Sequence, residues 1–252
     1  MGYRERISES YVTSNLGRTA NRMKEIEKDY LVHEKYFMKN YLQYMPKNKN
    51  AKILDLGGGM GHFLNFAVKA GYTNVIGCDS SKECIEFCKK RNFNVVYDDI
   101  FNFLRGKENC YDVIIFNDVI EHLYKDEIID ILDLIYAALR PKGVVLIKTP
   151  NMANPWVSTA GRYICLDHEI GFTEHSMRQV MMVCNFKNIK IVGTDIYVFH
   201  NLISYVARIF AKLGEGLWYM LSYLYGRNTL KIFTKDILAI GYKEKRNENF
   251  ST

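Results

Sequence analysis

The sequence predicts an α/β fold on a doubly wound, parallel sheet, with an N-terminal helical cap and a helical hairpin inserted before the last strand. Three observations predict it. An apolar run of strand length, Ile53-Leu54-Asp55-Leu56, stops at four glycines within five residues, Gly57, Gly58, Gly59 and Gly61, and a helical apolar pattern then begins at Phe63. Strand-length and helix-length segments go on alternating, the pattern of parallel strands joined by crossover helices. Polar residues gather where the strands end, at Asp55, Asp79, Asp99, Asn117 and Asp118, and sheets of this kind bind ligands beyond the carboxyl ends of their strands.

In order along the chain, residues 1 to 20 are polar and without a period, and are read as an arm. Met23, Ile26, Tyr30, Phe37, Tyr41 and Tyr44 recur at helical spacing, which predicts an amphipathic helix ended by the polar connector Pro46 to Asn50. Strands are expected at 52–56, 74–78, 93–97 and 111–116, then 143–149, 186–194 and 231–242. Gly71 stops the first crossover helix, and Ser80-Ser81 caps the second. The fourth strand, Tyr111 to Phe116, is almost wholly apolar, as burial on both faces requires. Residues 150–172 form a long connection of the kind that makes binding loops. Residues 202–225 are apolar at helical spacing but broken at Gly214-Glu215-Gly216, hence the expected hairpin.

The chain has 252 residues, 48% of them hydrophobic, enough for one substantial core. One domain is expected, with residues 1–50 as arm and cap and 51–252 as the body; 150–172 is its substrate loop and 197–227 its insertion. No signal peptide and no apolar run of roughly 20 residues is visible, which predicts a cytoplasmic protein. The six cysteines form no C-x-x-C pair and are expected to be reduced. The net charge of +6 resides in the flanks: residues 1–50 carry ten Lys/Arg against six Asp/Glu, and 197–252 carry eight against four. That suits an anionic partner or simply a solvated basic surface.

The glycine turn reads as a ligand cradle, because glycines take positive φ and let a ligand approach the backbone where a new helix presents unpaired N–H groups. Asp79, ending the second strand, can accept hydrogen bonds from both hydroxyls of a ribose, which argues for a nucleoside cofactor. The dinucleotide fingerprint fits poorly, since His62 stands where its third glycine belongs, and hydride chemistry is disfavoured. Asp118-x-x-Glu121-His122 sets two carboxylates and an imidazole at a helix start, at spacings that share one face.

Asp55-x-Gly57-x-Gly59-x-Gly61, Asp79, Asp99 and the run Tyr111 to Leu123 together resemble the class I S-adenosylmethionine-dependent methyltransferases. Leu139 to Ile147, Thr149-Pro150-Asn151 and Phe172-Thr173-Glu174 are similar to the subgroup of ubiquinone-pathway and sugar O-methyltransferases. The resemblance covers residues 51–194. It implies a Rossmann-like sheet of seven strands with the last antiparallel, 51–252 as a methyltransferase domain, and S-adenosylmethionine as cofactor. By the same resemblance Asp55, Gly57, Gly59 and Gly61 hold the methionine part, Asp79 and Ser80 lie at the ribose, Asp99 and the Ile100 amide hold the adenine, and Asn117 lies beside the sulfonium. Asp118, Glu121, His122 and His168 are similar to the divalent-metal site of small-RNA 2′-O-methyltransferases, with aspartate in place of the first glutamate. Without a metal, His168 or His122 is the expected general base, since imidazole titrates near neutrality.

The expected function is O-methylation of a small hydroxylated acceptor, a sugar or nucleotide-linked sugar of surface-polysaccharide synthesis. A quinone or phenol O-methyltransferase, and an S-adenosylmethionine-binding or RNA-binding protein without turnover, are the other readings, with nucleic acid the less favoured partner. The 200–225 segment is left open between a lid, a homodimer surface and a peripheral membrane contact.

Overall fold

The computed structural model describes residues 22–163, 165–194, 202–226 and 229–244. The expected arm at 1–20 lies outside them. The chain order is α1 (Arg22–Asn40), β1 (Ile53–Leu56), α2 (His62–Lys69), β2 (Val75–Asp79), α3 (Lys82–Lys90), β3 (Val95–Tyr97), α4 (Ile100–Leu104), β4 (Tyr111–Asn117), α5 (Lys125–Ala138), β5 (Leu139–Pro150), α6 (Pro155–Tyr163), α7 (Glu174–Val183), β6 (Lys187–Gly193), α8 (Leu202–Leu224) and β7 (Asp236–Tyr242). Single 3-10 turns at Leu42–Tyr44 and Ile120–His122 precede β1 and α5.

The seven strands form one sheet in the order β3-β2-β1-β4-β5-β7-β6. β1 pairs in parallel with both β2 and β4, while β7 runs antiparallel between β5 and β6. The strand order therefore reverses at β1 and β4, and their carboxyl ends open the crevice in which such sheets bind ligands.

Alternation along the central strands divides the core into two layers. Leu54, Leu56, Ile114, Phe116, Val145 and Ile147 face one layer, packed with α4, α5 and α7. Ile53, Val113, Ile115, Val144 and Leu146 face the other, where α1 and α2 lie. The expected first helix thus docks on the body through aromatic rings: Phe37 meets Tyr41 edge-on at 4.9 Å and Phe63 at 5.3 Å. Tyr41 is fully buried, and its hydroxyl donates to Asn117 Oδ1 at 2.7 Å, tying the end of α1 to the end of β4.

Three expectations need correction. The 202–225 hairpin is one continuous helix, α8, running through Gly214 and Gly216. Glycine in a helix costs about 1 kcal/mol, which the long apolar flanks and the Lys212–Glu215 ion pair at 3.0 Å offset, and no helix residue is buried as hairpin arms would be. The last strand begins at Asp236 and not at 231. The 150–172 connection carries its own helix, α6, which Asn154 opens by accepting from the Trp156 and Val157 amides.

Candidate active site

A cavity of about 540 Å³ opens above the carboxyl ends of β1 and β4. Its floor is the glycine turn. Gly57, Gly59 and Gly61 all have positive φ, and the Gly57 amide donates to the Cys78 carbonyl at 2.8 Å, folding the turn back on β2. A Cβ at Gly57 would stand 2.4 Å from Val119 Cγ2, whereas one at Gly59 would meet nothing within 4 Å, so Gly59 leaves space at the cradle. Gly57→Ala is expected to destabilise the fold by about 1 to 3 kcal/mol, combining left-handed strain with overlap. Urea denaturation checks this, and a loss below about 0.5 kcal/mol would contradict it.

Two carboxylates share the cavity. Asp79 is oriented by the Gly59 and Ser81 amides, each donating at 2.8 Å, and burial raises its pKa. Asp55 is 2% exposed with no hydrogen-bond partner at Oδ2; burial, then Asp79, push its carboxyl up to about 8. An unpartnered buried carboxyl oxygen is costly, and a bound cation or donor would relieve it. Asp99 caps α4 through the Phe101 and Asn102 amides, and Asp99, Ile100 and Ser80 line the same cavity.

The opposite wall comes from the segment after β4. Asn117, Asp118, Val119 and His122 line it, together with Lys148 and Asp167. His122 Nδ1 lies 3.1 Å from Asp167 Oδ2. Burial pulls the His122 pKa down, but the Asp167 carboxylate and Glu121 outweigh it, and the ring ends above its ordinary value of 6.5. The contact is an ion-pair distance outside hydrogen-bond geometry, Nδ1 having no hydrogen-bond partner, and the His122 ring beside it holds Asp167 below the usual carboxylate range. The pair therefore stabilises the fold below pH 6.5, a contribution lost as pH rises through the raised His122 value and, at the acid end, as Asp167 protonates. Asp167→Asn should lower the melting temperature more at about pH 5.5 than at about pH 9; an equal loss at both would contradict the assignment.

Of the four expected metal ligands, Glu121, His122 and His168 place ligand atoms within 4.8 Å of one another; Asp118 is not in that group. Asp118 pairs instead with Lys148 Nζ at 2.5 Å, because β4 and β5 set Asn117 opposite Lys148. The three clustered residues also have protein partners: Thr149 Oγ1 donates to Glu121 Oε2 at 3.1 Å, Asp167 holds His122, and His168 Nδ1 donates to the Gly161 carbonyl at 2.5 Å. His168 packs edge-on against His122, ring centroids 4.6 Å apart, and does not itself line the cavity. Burial lowers its pKa. The Glu169 and Ile170 amides donate to the Glu121 carbonyl, which fixes the loop that carries Asp167 and His168.

A second imidazole pair lies beside the glycine turn. Asp29 Oδ2 is 3.0 Å from His62 Nε2, and the His33 and His62 rings stack at 4.1 Å. The Tyr30 hydroxyl donates to the Met60 carbonyl, so α1 closes one side of the cavity with His33 and Phe37. Neither Asp167 nor this contribution of α1 follows from the sequence pattern. Asp167 had one usable signal, its place beside His168 in the polar stretch of the long connection.

A family model described as a methyltransferase domain matches residues 30–191. Among curated proteins, the chain is 24% identical over 158 residues to a phosphoethanolamine N-methyltransferase of Plasmodium falciparum, covering 60% of this chain and 59% of that protein. It is 29% identical over 119 residues to an EEF1A lysine methyltransferase 2 of Danio rerio, covering 41% and 50%. The chain thus spans between half and three-fifths of the length of these relatives. Among solved structures, a SAM-dependent methyltransferase from Archaeoglobus fulgidus superposes with a TM-score of 0.61 at 23% identity, covering 85% of this chain and 99% of that one. A Haemonchus contortus phosphoethanolamine N-methyltransferase 2, in complex with phosphomonomethylethanolamine and S-adenosylhomocysteine, gives 0.61 at 14% identity, covering 94% and 60%. With a family model spanning well over half of its length, the chain belongs to the class I S-adenosylmethionine-dependent methyltransferase family.

Proposed function

We propose that this chain transfers the methyl group of S-adenosylmethionine to a proton-bearing oxygen or nitrogen of a small polar acceptor. When bound, the cofactor supplies a methyl carbon activated by a sulfonium. The residues present fit such a group: the Gly59 position leaves room at the cradle, and Asp55 Oδ2 lacks the donor or cation that a methionine ammonium would supply. In this reading Gly57 to Gly61 and Asp55 hold the methionine part, Asp79 with Ser80 the ribose, Asp99 and Ile100 the adenine, and Asn117, fixed by Tyr41, stands beside the reacting centre.

The observation that carries the acceptor side is the His122–Asp167 pair on the opposite wall. Methyl transfer to a hydroxyl or an ammonium group requires a proton to leave. His122 takes it and Asp167 stabilises the imidazolium that results, while Phe37, Phe63 and Val119 exclude water. The proton transfer runs through His122 and Asp167 and calls on no metal, while Glu121, His122 and His168 form the cluster that could hold one.

The leading acceptor is a hydroxyl of a sugar-like molecule. An amine is the second reading, which one feature favours: Asp118, Glu127 and Asp167 face the cavity near a single lysine, Lys148, and would attract an ammonium. The named phosphoethanolamine N-methyltransferases belong to that chemistry. A quinone or phenol would meet these charged side chains where it needs an apolar wall.

The test is a panel of free sugars, nucleotide-linked sugars, phosphoethanolamine and phenols, scored for S-adenosylhomocysteine release and a methylated product, with and without chelator. Turnover of a sugar or amine that survives chelation is expected. Cofactor binding with no acceptor-stimulated turnover would overturn the proposal in favour of a binding protein. Activity lost to chelator and restored by a divalent ion would place a metal at Glu121, His122 and His168.

A further inference from the structure

The longest helix of the described residues is built inside out. Along α8 the half-buried positions are Ser204, Arg208, Ala211, Gly214, Glu215, Trp218, Leu221 and Ser222, and six of them recur at alternate spacings of four and three, the stripe turned toward the domain. Four of the eight are polar or charged. The opposite side presents Ile203, Ile209, Phe210, Leu213, Leu217 and Leu224, each about half exposed or more and reaching 78% at Ile203. A helix whose only apolar requirement was the core of its own domain would have the reverse polarity.

Exposed apolar side chains occur also on α6 and the loop after it. Trp156 is 75% exposed and meets Trp218 edge-on at 6.1 Å, and Tyr163 and Leu166 are 76% and 83% exposed. Isolated exposed apolar residues are ordinary, but a contiguous strip along 23 residues, about 35 Å of helix, marks an interaction surface.

Charge selects the occupant. Lys39, at the end of α1, is held below its usual pKa by burial and by Arg208 and Lys212, so the side of α8 toward α1 is basic. Glu215, which pairs with Lys212, is the one acidic residue of α8. Tyr205, Tyr219, Tyr223 and Tyr225 add the amphipathic rings that settle at a lipid headgroup boundary. No helix of the described residues is long and apolar enough to cross a membrane.

We propose that the outward apolar face of α8 lies in the surface of an anionic lipid bilayer, apolar side chains in the acyl boundary and Lys212 with the flanking tyrosines at the headgroups. The helix runs in the plane of the interface and leaves the cofactor cavity in the aqueous phase. This holds whichever acceptor is methylated.

The test is co-sedimentation of the full chain with extruded vesicles of phosphatidylcholine alone and with roughly one third phosphatidylglycerol. Wild-type protein should bind the anionic vesicles, and the bound fraction should fall with added salt. The double variant Phe210→Glu/Leu213→Glu should bind at least about ten-fold more weakly while keeping its melting temperature and S-adenosylmethionine affinity, because both side chains point away from the domain. Lys212→Gln, which leaves the apolar strip intact, should weaken binding to anionic vesicles alone. Failure to bind at millimolar lipid, or equal binding to neutral and anionic vesicles, would overturn the proposal. So would a solution dimer, seen by sedimentation velocity, that the double variant dissociates.

Discussion

Replacing His122 by alanine will lower kcat by roughly 10²- to 10⁴-fold, the range lost with a positioned proton acceptor. His122 lines the cavity, and its pKa is raised by Asp167 and Glu121 against the pull of burial, which makes it a better base than a free imidazole. Affinity for S-adenosylmethionine should change little, since the glycine turn and Asp79 are untouched. His168→Ala is the discriminating control. That ring sits against His122, off the cavity wall, with Nδ1 committed to the Gly161 carbonyl, and its removal should cost much less than that of His122. Steady-state kinetics on both variants check the assignment. A larger loss in His168→Ala would move the base to that residue.

Asp79→Ala should weaken S-adenosylmethionine binding by about 1.5 to 3 kcal/mol, roughly ten- to 150-fold in Kd. The carboxylate is already aimed by the Gly59 and Ser81 amides, so little ordering is needed to receive two ribose hydroxyls. Asp79→Asn keeps only one of the two backbone bonds, since each carboxylate oxygen holds one amide, and should weaken binding less than Asp79→Ala. Calorimetry with S-adenosylhomocysteine reads both variants. Unchanged affinity in folded Asp79→Ala would remove the ribose assignment.

The glycine-turn side of this cavity was legible because it is written locally. Strand, glycine turn and helix follow one another in sequence, and Asp55, Asp79 and Asp99 reach one cavity because each ends or follows a parallel strand. The opposite wall depends on distant pairings. Glu169 and Ile170 bond to the Glu121 carbonyl across more than forty residues of sequence, and that contact decides that Asp167, not His168, faces the cavity. Asp118 has the spacing of a ligand, but strand pairing brings Lys148 to it, and a close cation wins over a shared helix face. His33 and His62 carry no local motif; they meet because the aromatic face of α1 packs on α2. At Gly214 and Gly216 the local breaker signal was outweighed by the length of apolar helix on both sides.

The central claim, that His122 is the base and Asp167 sets its basicity, is tested most directly by the pH dependence of kcat/KM in wild type and Asp167→Asn, with an acceptor from the panel that turns over. Activity requires neutral His122, so the wild-type rate should rise with pH through a value above 6.5, the ordinary histidine pKa. Without the Asp167 carboxylate the imidazolium loses its main support, and the limb should move to lower pH while the plateau rate falls. A limb that stays in place in Asp167→Asn, or persists in His122→Ala, would contradict the account.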